Sequence, residues 1–195
     1  MSIGYDKLAA VNKLLGIVNE SPVATLDTEG SDDAANAERI LDRVSAVVQG
    51  EGWHANRETN VPLTPNVSSQ IDLPDDYARI DSDGVSKSIN VARRGKLLYN
   101  ITDHTLTFTS TVYCTVIKCL SFDDLTPLLK RYIVAMAAIE FQREAYGSRQ
   151  VDAELREEAQ MARIEALHED AENEDSSLLD AADMRYIMGD RNTGN

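Results

Sequence analysis

The stretch Asp33–Leu41, which reads DAANAERIL, begins the segment that decides the fold. Ser31 and the two aspartates that follow it offer side-chain acceptors for the unpaired N–H groups of a first helical turn. Apolar residues then recur at helical spacing and form one face: Ala37, Ile40, Leu41, Val44, Val47 and Val48. Gly50 and Gly52 end the helix, and Trp53, the only tryptophan, follows. The pattern predicts a helix from Asp32 to Gln49 and a core that Trp53 caps.

Further blocks of sequence stand on either side of this helix. They are Ala10-Val11-Asn12 with Leu15, Glu20-Ser21-Pro22-Val23 with Thr25-Leu26, DAANAERIL itself, and Gly52-Trp53. In order and spacing these blocks resemble the N-terminal signature of the tail tubular protein A family, and Leu73–Tyr77 (LPDDY) is a weaker match. The family commonly has a glycine before the glutamate of the Glu-x-Pro turn, where this chain has Asn19. Asparagine tolerates the same left-handed backbone, and beyond residue 80 the likeness is mainly one of layout.

The resemblance implies a structural role. Members of this family are adaptors, or gatekeepers, of short-tailed double-stranded DNA phages. A dodecameric ring would join the portal protein to the nozzle (tail tubular protein B) and give the tail fibre protein part of its attachment surface. It would keep packaged DNA in the head and line the channel through which genomic DNA passes without specific binding. The resemblance implies no catalysis and no cofactor, and a place in the virion tail after assembly in the host cytoplasm.

Composition sets limits on the class of protein. A chain of 195 residues with 43% hydrophobic residues is one or two domains with a real core. No apolar run is long enough to predict a transmembrane helix, and the first residues do not have the pattern of a signal peptide. Cys114 and Cys119 lie at an odd spacing in one predicted strand, so we expect them on opposite faces, without a mutual disulfide. The three histidines are isolated, and no metal-binding motif is present.

The charge is −14 and unevenly placed. Residues 151–183 contain twelve acids and two arginines, which gives −10 for that segment. Such a surface does not favour specific binding to DNA phosphates. The simple interpretation is a solvated helix face with an acidic tail. A second interpretation, compatible with the first, is an acidic wall along which DNA slides without binding. For the second role we expect the channel-lining acids to be Glu154, Glu158, Glu165 and Glu169.

Periodicity predicts the layout of the chain. The first helix is expected from Asp6 to Val18, and the third from Thr126 with Pro127 at its first position. The fourth follows Gly147-Ser148 and has a narrow apolar stripe: Leu155, Ala159, Ala162 and Ala166. Between the second and third helices, residues alternate as in antiparallel strands over 85–91, 97–101, 105–109 and 112–117, the last of which is apolar on both faces and therefore central.

These elements predict an α+β fold. We expect a four-helix bundle domain (1–57 and 121–172) with an inserted antiparallel β domain (58–120). An extended acidic C-terminal tail (173–195) would follow, either frayed or ordered on a partner surface. The family resemblance favours anchoring, and we expect Tyr186, Ile187 and Met188 to be the portal anchor.

Arg93, Arg94 and Lys96 stand at the tip of a predicted hairpin. The simple interpretation is an exposed turn that aids solubility. In a ring, the same tip is suited to a subunit or ring interface, where it could meet the acidic fourth helix of an adjacent copy.

Two other functions and one metal site are alternatives. A head-completion connector of another tailed-phage type has a similar helical make-up. A tail glycoside hydrolase would need paired carboxylates, for which the candidates are Asp75/Asp76, Asp81/Asp83 and Asp123/Asp124. Each pair has a simpler account as a turn or as a helix start. Residues 81–84 begin like a calcium loop but lack its third acidic position and its closing glutamate.

Overall fold

The computed structural model describes residues 5–26, 32–145 and 147–189, with side chains described as far as Glu174. Within these residues there are four α-helices: α1 (Lys7–Ile17), α2 (Asp32–Gln49), α3 (Pro127–Ala145) and α4 (Arg149–Gly189). There are five strands: β1 (Arg57–Leu63), β2 (Tyr77–Ser82), β3 (Val91–Arg94), β4 (Leu97–Asn100) and β5 (Val112–Lys118). All pairings between these strands are antiparallel, and the predicted α+β class is confirmed.

The first two helices begin and end where the sequence predicts. The Asp6 carboxylate caps α1 by accepting a hydrogen bond from the Ala9 N–H at 2.7 Å. Asn19 follows α1 with a φ of 57°, the left-handed conformation expected of it. α2 has the predicted bounds, but Val47, placed by prediction on the apolar face, is exposed. The buried stripe includes Val48. Successive side chains on a helix point about 100° apart, so Val47 faces solvent.

α3 is the central helix and packs against α1, α2 and α4. It is apolar on nearly every side, which is typical of a helix surrounded by others. Its predicted start at Pro127 is confirmed. The predicted stripe of α4 is buried in the same core, and its alanines let α4 approach closely. Trp53 caps this core as predicted, with its Nε1 donating to the Val48 carbonyl at 2.8 Å.

The strands form two small sheets. β5 lies between β1 and β2, which confirms the prediction of a central strand. β3 and β4 form a separate hairpin that turns at Gly95, whose φ of +61° favours glycine. Apolar residues of both sheets share a second buried cluster, apart from that of the helices. The domain boundaries themselves stay a prediction.

Two of the predicted strands are wrong. Residues 85–90 form a short 3₁₀ turn and bends rather than a strand, because the Asp83 carboxylate accepts from the Gly84 N–H and the Ser86 carbonyl accepts from the Ile89 N–H. Residues 105–109 make only isolated bridges, at Thr105 and Thr107. Local side-chain hydrogen bonds, such as that of Asp83, compete with the backbone hydrogen bonds between strands. Cys119 lies just past the end of β5 rather than within it, and both cysteines are free.

The fourth helix is longer than the sequence pattern predicts. α4 continues through Gly189, so the segment expected to be an extended tail from residue 173 is helical up to that point. Between Glu172 and Gly189 the sequence has no proline or glycine and is rich in Ala, Leu, Met and Glu, which favour helix. Residues 190–195 lie outside the described residues. Among the described helices, none is both long and apolar enough to cross a membrane.

Candidate assembly surfaces

The hairpin of β3 and β4 brings the three predicted basic residues together. Arg93 is turned inward: its Nη1 donates to the Tyr77 carbonyl at 2.5 Å and its Nε to the Gly95 carbonyl at 2.9 Å. The Arg94 guanidinium lies 3.3 Å from the centre of the Tyr99 ring. Arg93 therefore fastens the hairpin to the start of β2, and Arg94 is stacked on its own hairpin.

Lys96 is exposed, with 75% of its side chain accessible against 29% for Arg93. Its Nζ lies 2.7 Å from an Asp75 carboxylate oxygen. This hydrogen bond, with the Lys96 charge, lowers the pKa of Asp75. The ion pair is on the surface, so it breaks at small cost when a partner surface competes for either group.

The four acids expected to line a channel have different surroundings. Glu158 pairs with Lys13 of α1 at 2.7 Å, and Glu165 pairs with Arg131 of α3. Glu169 accepts from the Thr126 hydroxyl at 2.7 Å, at the start of α3. Glu154 is exposed and accepts from a glutamine one turn earlier on α4. Three of the four thus fasten α4 to its own chain while keeping part of their surface open to solvent.

Further acids attach α4 to the start of the β region. Asp170 accepts from the His54 N–H at 2.6 Å, and Glu174 pairs with Arg57 at the beginning of β1. α4 is therefore held along its described length from Arg149 to Glu174. The side chains of the predicted anchor Tyr186, Ile187 and Met188 lie outside the described residues, although the backbone there is helical.

Three of the carboxylates considered as catalytic candidates hold elements of the fold together. Asp83 accepts from the Thr115 hydroxyl at 2.8 Å and from the Gly84 and Asn60 N–H groups, and these bonds lower the pKa of Asp83. Asp123 accepts from the Lys7 N–H at 2.9 Å and so caps α1. Asp124 accepts from a neighbouring serine. Within the described residues, no group of three or more potential metal ligands is present.

One surface was missed by sequence analysis. An open groove of about 490 Å³ runs between α3 and α4. Its floor is apolar, and three arginines stand among its lining residues: Tyr132, Met136, Ile139, Arg143, Arg156, Ala159, Gln160 and Arg163. Beside it on α4, Met161 and Ile164 are each 54% exposed and Leu167 is 46% exposed. The signal was present in the three-residue spacing of these apolar residues, outside the alanine stripe of α4.

The arginines of this groove have partners within the chain. Asp152 bonds Arg143 at 2.5 Å and Arg156 at 2.8 Å, and Arg163 lies 3.2 Å from Glu51. The hydrogen bonds from Arg143 and then Arg156 lower the pKa of Asp152 to about 2. The three arginine side chains are 44–62% exposed, and a guanidinium has five N–H donors, so each can bond a further acceptor.

These features define an α+β protein whose distinctive parts are a long, strongly charged helix, a charged hairpin and an open groove. The chain belongs to the tail tubular protein family, whose sequence model matches residues 8–176. It is a structural component of a virion tail, and it assembles with other tail components. No curated protein matches the chain.

Proposed function

We propose that this chain is the head-to-tail adaptor of a short-tailed double-stranded DNA phage. A ring of twelve copies would join the portal to the nozzle, tail tubular protein B, and offer the tail fibre protein part of its attachment surface. The observation that carries the proposal is membership of the tail tubular protein family over residues 8–176. Mechanically, the ring would multiply many modest contacts by symmetry.

The long helix supports this role. A helix of 41 residues is about 60 Å long at about 1.5 Å per residue. α3 has 19 residues, and the Glu169 contact with Thr126 places the start of α3 beside that part of α4. About 20 residues of α4 therefore follow the last turn that α3 can cover. We propose that this segment reaches the portal and that Tyr186, Ile187 and Met188 anchor there.

The charge distribution supports the channel role. Net charge is −14, and residues 151–183 contribute −10 of it. We propose that Glu154, Glu158, Glu165 and Glu169 give α4 a negative surface along the lumen, where repulsion from phosphates lowers friction on moving DNA. Arg93, Arg94 and Lys96 would lie at a subunit or ring interface, with Lys96 the group most free to exchange its partner.

Particles made without this protein test the proposal. Heads assembled by the encoding phage in its absence should package DNA but lack the nozzle, and they should lose the DNA once purified. Adding the purified protein back should restore nozzle attachment. Tailed, DNA-retaining particles formed without the protein would overturn the proposed role.

A second experiment tests whether the positive charge of the hairpin contributes to assembly. Replacing Lys96 by glutamate should weaken ring assembly without changing the fold of the monomer, because its side chain is 75% exposed and pairs with Asp75 at the surface. Assembly equal to that of the native chain would remove the hairpin from the interface.

A further inference from the structure

The face formed by the α3–α4 groove and the neighbouring exposed residues of α4 has the composition of a protein interface. Interface cores are enriched in aromatic residues, methionine and arginine and depleted of lysine. The groove is lined by one tyrosine, one methionine and three arginines, with no lysine. Met161, Ile164 and Leu167 are exposed apolar residues of α4 that lie outside the groove lining.

The exposure of these residues is not scattered. Among the described side chains, seven large apolar ones are exposed, and three of them fall between residues 161 and 167. The others are single valines or an isoleucine on separate elements. Single exposed apolar residues are ordinary, whereas a contiguous apolar patch marks a contact surface.

The charges on this face identify the kind of partner. Arg143, Arg156 and Arg163 surround the apolar floor of the groove in a chain of net charge −14. The exposed acid Glu157 lies on α4 one turn before Met161. One molecule thus carries both halves of a complementary pair: an arginine-rimmed groove, and an apolar stripe bordered by a glutamate.

The two halves lie on different sides of α4. At about 100° per residue, Arg156, Gln160 and Arg163 centre on one side of α4, and Met161 and Ile164 centre on the adjacent side, about 100° round the helix. A copy can therefore offer its stripe to one neighbour while its groove receives the stripe of another. Such a head-to-tail contact generates a ring when its rotation closes.

We infer that the α3–α4 groove binds the Met161–Ile164 stripe of α4 from a second copy of this chain, with Glu157 of that copy facing the groove arginines. The inference rests on the proposed ring and names the surface through which its copies meet. It places the groove at the contact between neighbouring copies.

Self-association of the full chain tests this contact. Sedimentation equilibrium should show concentration-dependent association up to about 1 mM, weakened by salt because charged groups contribute. The groove-blocked variant Arg156→Glu/Arg163→Glu and the stripe-blocked variant Met161→Asp/Ile164→Asp should each weaken association by about tenfold or more.

Matched controls are available on α2. Arg39 and Arg43 are also half-exposed arginines that pair with glutamates of α3, and Val47 is an exposed apolar helix residue. Arg39→Glu/Arg43→Glu and Val47→Asp should leave association unchanged. Urea unfolding followed by Trp53 fluorescence shows that every variant is folded before its association is measured.

Mixing the two blocked variants gives the sharpest result. The intact groove of one variant can bind the intact stripe of the other, so the mixture should form pairs of two chains and nothing larger. A native chain that stays at the mass of one chain throughout, α2 controls that weaken association equally, or a mixture that forms no pairs would each overturn the inference.

The outcome is separable from that of the adaptor role. Association through another surface refutes the groove contact and leaves the adaptor role intact. Association through the groove together with failure to bind portal rings supports the groove contact and refutes the adaptor role.

Discussion

Replacing Gln49 by leucine should destabilise the connection between the helices and the β region. Gln49 is 1% exposed near the end of α2. Its Nε2 donates to the Leu120 carbonyl at 3.1 Å and to the Ser45 hydroxyl at 3.0 Å, and its Oε1 accepts from the Leu120 N–H at 2.7 Å. The side chain therefore clamps the segment that leaves β5 and enters α3.

The magnitude follows from the groups left unpaired. Leucine has a similar volume but no hydrogen-bonding atoms, so both backbone groups of Leu120 lose their partner. Each unsatisfied buried group costs about 1–3 kcal/mol, and partial burial places these two toward the lower end. We expect a loss of about 3 kcal/mol in the free energy of unfolding.

Urea unfolding followed by the fluorescence of Trp53 measures this loss directly, because the only tryptophan is buried in the helical core. Gln150→Leu, at an exposed position of α4, is the matched control and should change stability by less than about 0.5 kcal/mol. A Gln49→Leu variant that loses less than about 1 kcal/mol would refute the clamp.

Protonation of Asp152 should loosen the junction of α3 and α4. The two arginine partners of Asp152 lower its pKa from 3.8 to about 2. The stabilisation is therefore complete above the pKa of Asp152 in the unfolded chain and disappears as the pH falls toward 2. Asp152→Asn should therefore melt below the native chain near about pH 6, and the two melting curves, followed by circular dichroism, should converge near pH 2; a constant gap would contradict the pairing. Ala162→Leu should cost about 1–3 kcal/mol in urea unfolding, because Ala162 is fully buried where α4 meets the core, whereas Ala153→Leu at an exposed position of α4 should cost almost nothing. Iodoacetamide near about pH 8 should alkylate Cys119 before Cys114, because Cys114 is fully buried and burial raises its pKa to about 11; mass spectrometry that finds the reverse order would show that β5 opens readily.

The helices were predictable because their signals are local. Asp6 as a cap, Pro127 as a first residue and the glycines after α2 mark helix ends, and apolar spacing marks the buried faces. α4 was predicted to end too early, because the fading of its apolar pattern removes the sign of packing without removing helix propensity.

The strands were harder because pairing is not local. β5 was identified by its apolar residues on both faces, and the hairpin by its Arg-Gly turn. Alternation also predicted strands over 85–91 and 105–109, where side-chain hydrogen bonds of Asp83 and Thr105 hold the chain in turns instead.

The assembly surfaces were predictable only in part. The sequence locates basic residues at the hairpin but does not show that Arg93 bonds the start of β2. The groove was not predicted because its lining residues come from both α3 and α4. The two helices are brought together only by the antiparallel turn at Gly147.

Light scattering of the purified chain, alone and mixed with portal rings of the same phage, tests the adaptor role most directly. The account predicts that mixing transfers the chain into a large complex with a fixed number of copies per portal ring. Failure to associate with the portal at any salt concentration would contradict the adaptor role and favour a different structural position in the tail.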